Sequence, residues 1–279
     1  MKWVFVLGVV LCLASGFSAS AQQLPAPQLI EVREVKVKLE RIASFERNVK
    51  KFIEAHNLGN SGEYWLAAQR VHGEMGVYTF YFLSRNSWGA LDHKVNEMEL
   101  LRKAFGKREA QALMESFLSP LESARTCFQM SRPDLSLNDE PKHFLQATTM
   151  LVTYVRVRPG LGLDFEKLVA QVNQAHLKLD TKTHASWSSA VTGGCSDYIQ
   201  SIYVENFSGF DKIFMGNAVR DAFGEQAYLD FAKTMAAVVE SAEFTVSRFR
   251  PDLSRPSSAF VKANSNFWQN KPHFHARLK

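Results

Sequence analysis

Four cations stand at matched places in this chain and could do chemistry together. Lys36 and Lys38 alternate with Val35 and Val37, and Arg156 and Arg158 alternate with Val155 and Val157. In a β-strand successive side chains point to opposite faces. If the valines are buried under helices, the four cations share the opposite face, joined by Tyr154. A cavity lined by cations and an aromatic ring suits a carboxylate, a phenolate or another small anion. The same residues also fit a bland arrangement, with Lys38 and Arg158 extending from strand ends into solvent and Lys36 and Arg156 neutralised by carboxylates such as Glu34. Two tryptophans on neighbouring strands, Trp65 and Trp187, align between the two halves of the chain and are candidate walls of the same pocket.

The elements that must position these residues are written twice. Arg132-Pro133-Asp134-Leu135-Ser136 returns letter for letter as Arg250-Pro251-Asp252-Leu253-Ser254. Upstream, Phe45 pairs with Phe165, Val49 with Val169, His56 with His176, Gly89 with Gly209 and Phe105-Gly106 with Phe223-Gly224. A period of about 120 residues is domain duplication, since solenoid repeats run roughly 20–50 residues.

Each copy reads as strand, helix, strand, strand, helix, strand. The first strands are Val32–Leu39 and Leu151–Arg158, and the helices that follow start from Ser44 and Asp164 as N-caps. Hairpins follow, Tyr64–Arg70 with Tyr78–Ser84 and Ser186–Val191 with Tyr198–Glu205, the second around Gly193-Gly194. Helical patterns broken at Gly106 and Gly224 run through Glu122 and Glu240, and the last strands are Arg125–Ser131 and Phe244–Phe249. The boundaries are a first repeat over 31–136, a linker over 137–149, a second repeat over 150–254 and an irregular or loosely docked tail over 255–279.

A βαββαβ order is ferredoxin-like, and one copy alone leaves a sheet face bare to water. With Val155-Arg156-Val157-Arg158-Pro159-Gly160 followed by Asp164, Phe165 and Leu168, the chain resembles the dimeric α/β-barrel superfamily, which includes antibiotic-biosynthesis-monooxygenase-like domains. The resemblance implies an α+β fold in which two tandem ferredoxin-like repeats form an intrachain dimeric α/β barrel, a pseudo-dimer that closes its own barrel around a central cavity. Haem-degrading members use a histidine, a tryptophan and an asparagine. Trp88 and His93 match in type but not in spacing, so that chemistry does not carry over.

Met1–Ala21 has Lys2, an apolar run from Trp3 to Leu13 and the small residues Ala19-Ser20-Ala21, the layout of a cleavable secretory signal. Cleavage there gives a periplasmic or extracellular protein with no membrane attachment. Loss of Lys2 takes the formal charge from +5 to +4, and no dense basic run marks a nucleic-acid partner. Cys127 and Cys195 remain, either as one disulfide between the repeats or as two thiols. His56 and His176 sit near helix ends, where a histidine complements the helix dipole. His273 and His275 form a lone His-x-His in the tail. No metal site, cofactor motif or nucleophile motif is expected. The leading expectation is an exported protein that binds a small anionic or aromatic molecule without a cofactor. A cofactor-independent monooxygenase-like enzyme and a structural or interaction protein with a self-filled barrel are the alternatives.

Overall fold

The computed structural model describes residues 26–192, 196–211 and 217–269. The signal region, Gly193, Gly194, Cys195, His273 and His275 lie outside them. Eight antiparallel strands close one barrel: β1 (Leu29–Val37), β2 (Trp65–His72), β3 (Val77–Phe82), β4 (Leu121–Ser131), β5 (Thr149–Val157), β6 (Ser186–Thr192), β7 (Tyr198–Val204) and β8 (Val239–Phe249). Around the barrel the order is β1-β3-β2-β8-β5-β7-β6-β4. Each half therefore contributes a four-stranded sheet of ferredoxin-like order, with β1 and β5 central. The β2–β8 and β4–β6 pairings join the two sheets and leave no open edge. The α+β barrel implied by the resemblance is present within a single chain.

Helices cover the outside. In the first half these are α1 (Ile42–Leu58), α2 (Trp88–Leu91), α3 (Glu97–Phe105) and α4 (Lys107–Leu118). The linker carries α5 (Pro141–Gln146), and the second half carries α6 (Gly162–Lys178), α7 (Ala218–Phe223) and α8 (Glu225–Val238). As strand alternation requires, Val35 and Val37 pack with Phe45 and Val49 of α1, and Val155 and Val157 pack with Phe165, Leu168 and Val169 of α6. Gly106 and Gly224 separate consecutive helices at φ of 85° and 90°, a left-handed backbone that glycine adopts without a Cβ penalty.

Several expected boundaries move. Ser44 is not an N-cap, since its hydroxyl donates to the Arg41 carbonyl inside a helix that starts at Ile42. Asp164 lies in the first turn of α6 and pairs with Lys167. The last strands start at Leu121 and Val239, earlier than their apolar content suggests, because their first residues are exposed and only backbone pairing with β1 and β5 holds them.

The tail is neither irregular nor loose as far as Gln269. It forms α9 (Ser258–Ala263) and α10 (Ser265–Gln269), whose Phe260 and Trp268 are buried. With Phe144 of α5 they pack on Leu66, Ala68, Met150 and Phe249, all on the inner face of the barrel. One end of the barrel is thus closed by the linker helix and the tail. Three aromatic rings too widely spaced to read as a helical stripe find their burial only there.

Candidate functional site

The barrel lumen is lined by aromatic, apolar and charged side chains. Tyr81, Tyr154 and Tyr203 project inward among Val152, Ile199 and Leu66. Burial pushes the Tyr154 and Tyr203 hydroxyls up to about 12 and the Tyr81 hydroxyl well above its ordinary value. Glu34 on β1 accepts from Arg70 on β2 at 3.3 Å and from Arg125 on β4 at 3.0 Å, and Arg70 also reaches Glu243 on β8 at 3.4 Å. The inward cation is Arg70, whose buried Nε finds no partner among the described residues.

The four cations expected to converge in the lumen do not do so. Lys36 is held at the rim between Glu74 (2.9 Å) and Glu122 (2.7 Å), and these two carboxylates raise its ammonium above the ordinary lysine range. Lys38, Arg156 and Arg158 are exposed. The strands end at Val37 and Val157, so side chains this long reach water from their last positions. Tyr154 alone of the expected lumen set lies deep inside. Glu34 is in the lumen as a partner of Arg70 and Arg125, not of Lys36.

Trp65 and Trp187 are not lumen walls either. Both lie on the outer face of the sheet, Trp65 beside His56 of α1 and Trp187 against Phe165 of α6. Nor are they equivalent. The repeated pentapeptide provides the ruler: Ser254 Oγ accepts from the Ala67 amide, and Ser136 Oγ accepts from the Trp187 amide. One residue further on, Arg255 exchanges two backbone hydrogen bonds with Trp65, and Leu137 exchanges two with Ala185. Trp187 therefore corresponds to Ala67, and Trp65 corresponds to Ala185.

The pentapeptide itself is a seam between the halves. Arg250, at the end of β8, pairs with Asp252 and with Glu46 of α1 (2.6 Å), and Glu46 accepts from the Tyr78 hydroxyl. Arg132, at the end of β4, repeats this with Asp134, Glu166 of α6 (2.7 Å) and Tyr198. Each clasp ties the last strand of one half to the first helix of the other.

Moving the indole by two residues along the strand changes what stands beside the matched histidines. In the first half the space is closed: Trp65 meets His56 edge-on at 4.9 Å, and its Nε1 donates to the Leu253 carbonyl. Next to it Arg85 lies over Phe82 at 4.2 Å, bound by Glu31 (2.7 Å) and by both oxygens of Glu63. These groups are buried, and Glu31 also pairs with Arg33 at 3.3 Å and Lys94 at 3.5 Å. His56, Glu63 and Glu97 bring ligand atoms within 4.8 Å of one another. The Arg85 guanidinium already supplies the positive charge a metal ion would bring, and His56 already bonds Glu97 at 3.0 Å and Ser61 at 2.7 Å. This donor set is spent on internal pairing.

In the second half the corresponding residues differ. The strand registers place Ile202 where Phe82 stands and Leu151 where Glu31 stands. By the same count Thr183 replaces Glu63, Glu205 replaces Arg85 and Ala185 replaces Trp65. Ala185 is buried with Leu151, Ile202, Val204 and Phe210, and a cavity of about 700 Å³ lies beside this cluster, bounded by His176 of α6, His184, Ile202 and Val204 of β7, Val219 of α7 and Phe231 of α8. His176 Nδ1 bonds Thr181 Oγ1 at 2.9 Å, the counterpart of the His56–Ser61 contact. His184 Nε2–H donates to the Tyr203 carbonyl at 2.7 Å, and its ring stacks on His143 of α5 at 4.0 Å. Burial lowers the pKa of both His176 and His184, with the neighbouring His143 adding to the effect on His184.

Cys127, on β4, is disulfide-bonded.

No protein-family profile and no curated protein matches the chain. Among solved structures it is similar to an anthrone oxidase-like protein, with 9% identity over 80% of this chain and 91% of that one and a TM-score of 0.46. A heme-binding protein from Thermus thermophilus shows 12% identity, 81% and 93% coverage and a TM-score of 0.44. Chlorite dismutase from Candidatus Nitrospira defluvii shows 10% identity, 87% and 95% coverage and a TM-score of 0.45. Likeness at this level does not extend to chemistry.

Proposed function

We propose that this chain is an exported small-molecule-binding protein, a fused pseudo-dimer whose binding site is the cavity beside His176 rather than the barrel lumen. The observation that carries the reading is a space of ligand size, about 700 Å³, bounded by α6, β7, α7 and α8 in the second half. The site has an apolar floor of Ile202, Val204 and Val219 and polar groups placed at its edge by α6 and β7. The lumen fits a structural role: its carboxylates and guanidinium groups are paired, and α5, α9 and α10 close one end.

The reading is tested by titrating isotope-labelled mature protein with neutral indole and following amide and methyl shifts. Saturable shifts at Ile202, Val204 and Val219, with none at Val152 or Met150, support it. Shifts centred on Val152 and Met150 instead would move the site back to the lumen and overturn it.

A further inference from the structure

A hydroxyl, an imidazole and a carboxylate stand in line on the first half, away from the cavity beside His176. Ser61 Oγ lies 2.7 Å from His56 Nδ1, and Glu97 Oε2 lies 3.0 Å from His56 Nε2. They come from three places in the chain: His56 from the last turn of α1, Ser61 from the turn after it and Glu97 from the start of α3. Burial alone would raise the Glu97 carboxyl, but its hydrogen bond to His56 and the nearby Arg33 and Arg85 hold it below the ordinary glutamate value. An ionised carboxylate only accepts, so Nε2 carries the proton and the neutral imidazole is left with Nδ1 as acceptor for the Ser61 hydroxyl. Ser61 Oγ in turn accepts from the Glu63 amide at 3.3 Å and has Arg255 Nη1 at 3.5 Å. His56 is buried, whereas Ser61 is partly exposed between the exposed Asn60 and Gly62. A Cβ at Gly62 would meet nothing within 4 Å, so the approach on that side is open.

The second half shows the helix-end bond without the acid. His176 bonds Thr181 as His56 bonds Ser61. Asn96 and Asn217 cap α3 and α7 in the same way, so the residues after them, Glu97 and Ala218, are equivalent. The imidazole–hydroxyl contact is kept in both halves, and the carboxylate that makes the imidazole a stronger base stands in the first.

We propose that Ser61 is an activated nucleophile toward small carboxylic esters, with His56 as its general base and Glu97 as a positioning residue. Oγ attacks the ester carbonyl carbon as its proton passes to His56 Nδ1. That proton then leaves with the alkoxide as the ester C–O bond breaks, giving acyl-Ser61 and an alcohol. Water attacks the acyl carbon by the same route, its proton passing through Nδ1 to Ser61 Oγ, and the carboxylic acid departs. The Arg255 guanidinium beside Oγ places positive charge near the developing oxyanion. The site is a surface turn, so a short acyl chain is the class that fits.

The mature protein is treated with p-nitrophenyl acetate and, separately, with a fluorophosphonate, and adducts are mapped by peptide mass spectrometry. The expected result is phosphonylation of Ser61 and not of Thr181, with ester turnover lost in Ser61→Ala, a change on an exposed turn. Glu97→Gln lowers the phosphonylation rate at pH 8 by about tenfold or more. It also moves the acid limb of the pH–rate profile to lower pH, because the carboxylate that favours the imidazolium is gone, a shift that lost packing alone would not give. Phosphonylation of Ser61 no faster than that of other serines, turnover that persists in Ser61→Ala, or a wild-type pH profile in a folded Glu97→Gln variant overturns the proposal.

Discussion

Trp65 and Ala185 occupy the same position in the two halves of one barrel. Each exchanges a pair of backbone hydrogen bonds with the residue that follows the Arg-Pro-Asp-Leu-Ser segment, Arg255 for Trp65 and Leu137 for Ala185. The indole of the first half is therefore absent from the second, where Ala185 packs with Phe210, Ile202 and Val204, while the histidine of each half is held in the same way.

Both positions are sensitive to exchange, for different reasons. Trp65→Ala removes a buried ring and one hydrogen bond, and a loss of about 3–5 kcal/mol is expected from large-to-small core substitution. Ala185→Trp forces an indole into the cluster of Phe210, Ile202 and Val204, and overpacking of this kind costs about 1–3 kcal/mol. Urea denaturation of both variants checks the pair. No loss in Ala185→Trp would show that the cluster around Phe210 has room for an indole.

Arg85 is buried between Glu31 and Glu63, which are themselves buried. Arg85→Ala leaves the buried Glu63 without its ion-pair partner, whereas Glu31 keeps Arg33 and Lys94, and breaking such a cluster from one side costs about 3–5 kcal/mol. Removing the stranded charge with Glu63→Gln in the same chain should recover part of that loss. Chemical denaturation of the single and double variants measures the recovery, and an equal or larger loss in the double variant counts against a charge-driven cost.

Acid should weaken the fold in a definite window. His176 and His184 have lowered pKa values in the folded chain, whereas an unfolded histidine titrates near about 6.5. Below that pH the unfolded chain binds more protons than the folded one, so stability falls as pH drops from about 6.5 towards the folded values. His56–Glu97 pairing acts in a lower range. Burial alone would raise the Glu97 carboxyl, but the His56 hydrogen bond holds it below the ordinary glutamate value, and that contribution is lost only when Glu97 is protonated. Urea midpoints at pH 7.0 and 5.5 should differ in the wild type and differ less in a His176→Gln, His184→Gln variant. An unchanged slope in the variant would assign the acid sensitivity to other groups.

Removing Ser258–Lys279 should uncover Leu66, Met150 and Phe249 at the closed end of the barrel. Burial of side chains the size of Phe260 and Trp268 contributes about 1.5–3 kcal/mol each. The truncated chain should melt earlier and bind a hydrophobic dye that the full chain does not. Identical melting would mean that the tail helices add nothing to the seal.

Much of the architecture was legible because the repeat and strand alternation speak about backbone order. Val35, Val37, Val155 and Val157 lie under helices as their period requires, and the hairpins fall where the glycines and aromatic runs place them. The site was harder to read. Trp65 and Trp187 align by residue type, yet the step from His56 to Trp65 is two residues shorter than the step from His176 to Trp187. That difference was visible in the sequence, and it marks the indole as having moved along its strand. The destination of the four cations was not legible, because alternation assigns a face but not a depth, and Lys36 and Arg156 stand at strand ends. Arg70 and Glu34 meet through the β1-β3-β2 order and the closure onto β8, contacts that a linear pattern does not display.

The central claim is that ligand enters the cavity beside His176. The most direct measurement is calorimetric titration of indole into the wild type and into Ala218→Trp, which places a ring in the cavity wall, with folding of the variant checked by near-ultraviolet circular dichroism. Saturable binding to the wild type and none to a well-folded Ala218→Trp is the predicted result. Equal affinity for both proteins would contradict it and place the ligand elsewhere on the barrel.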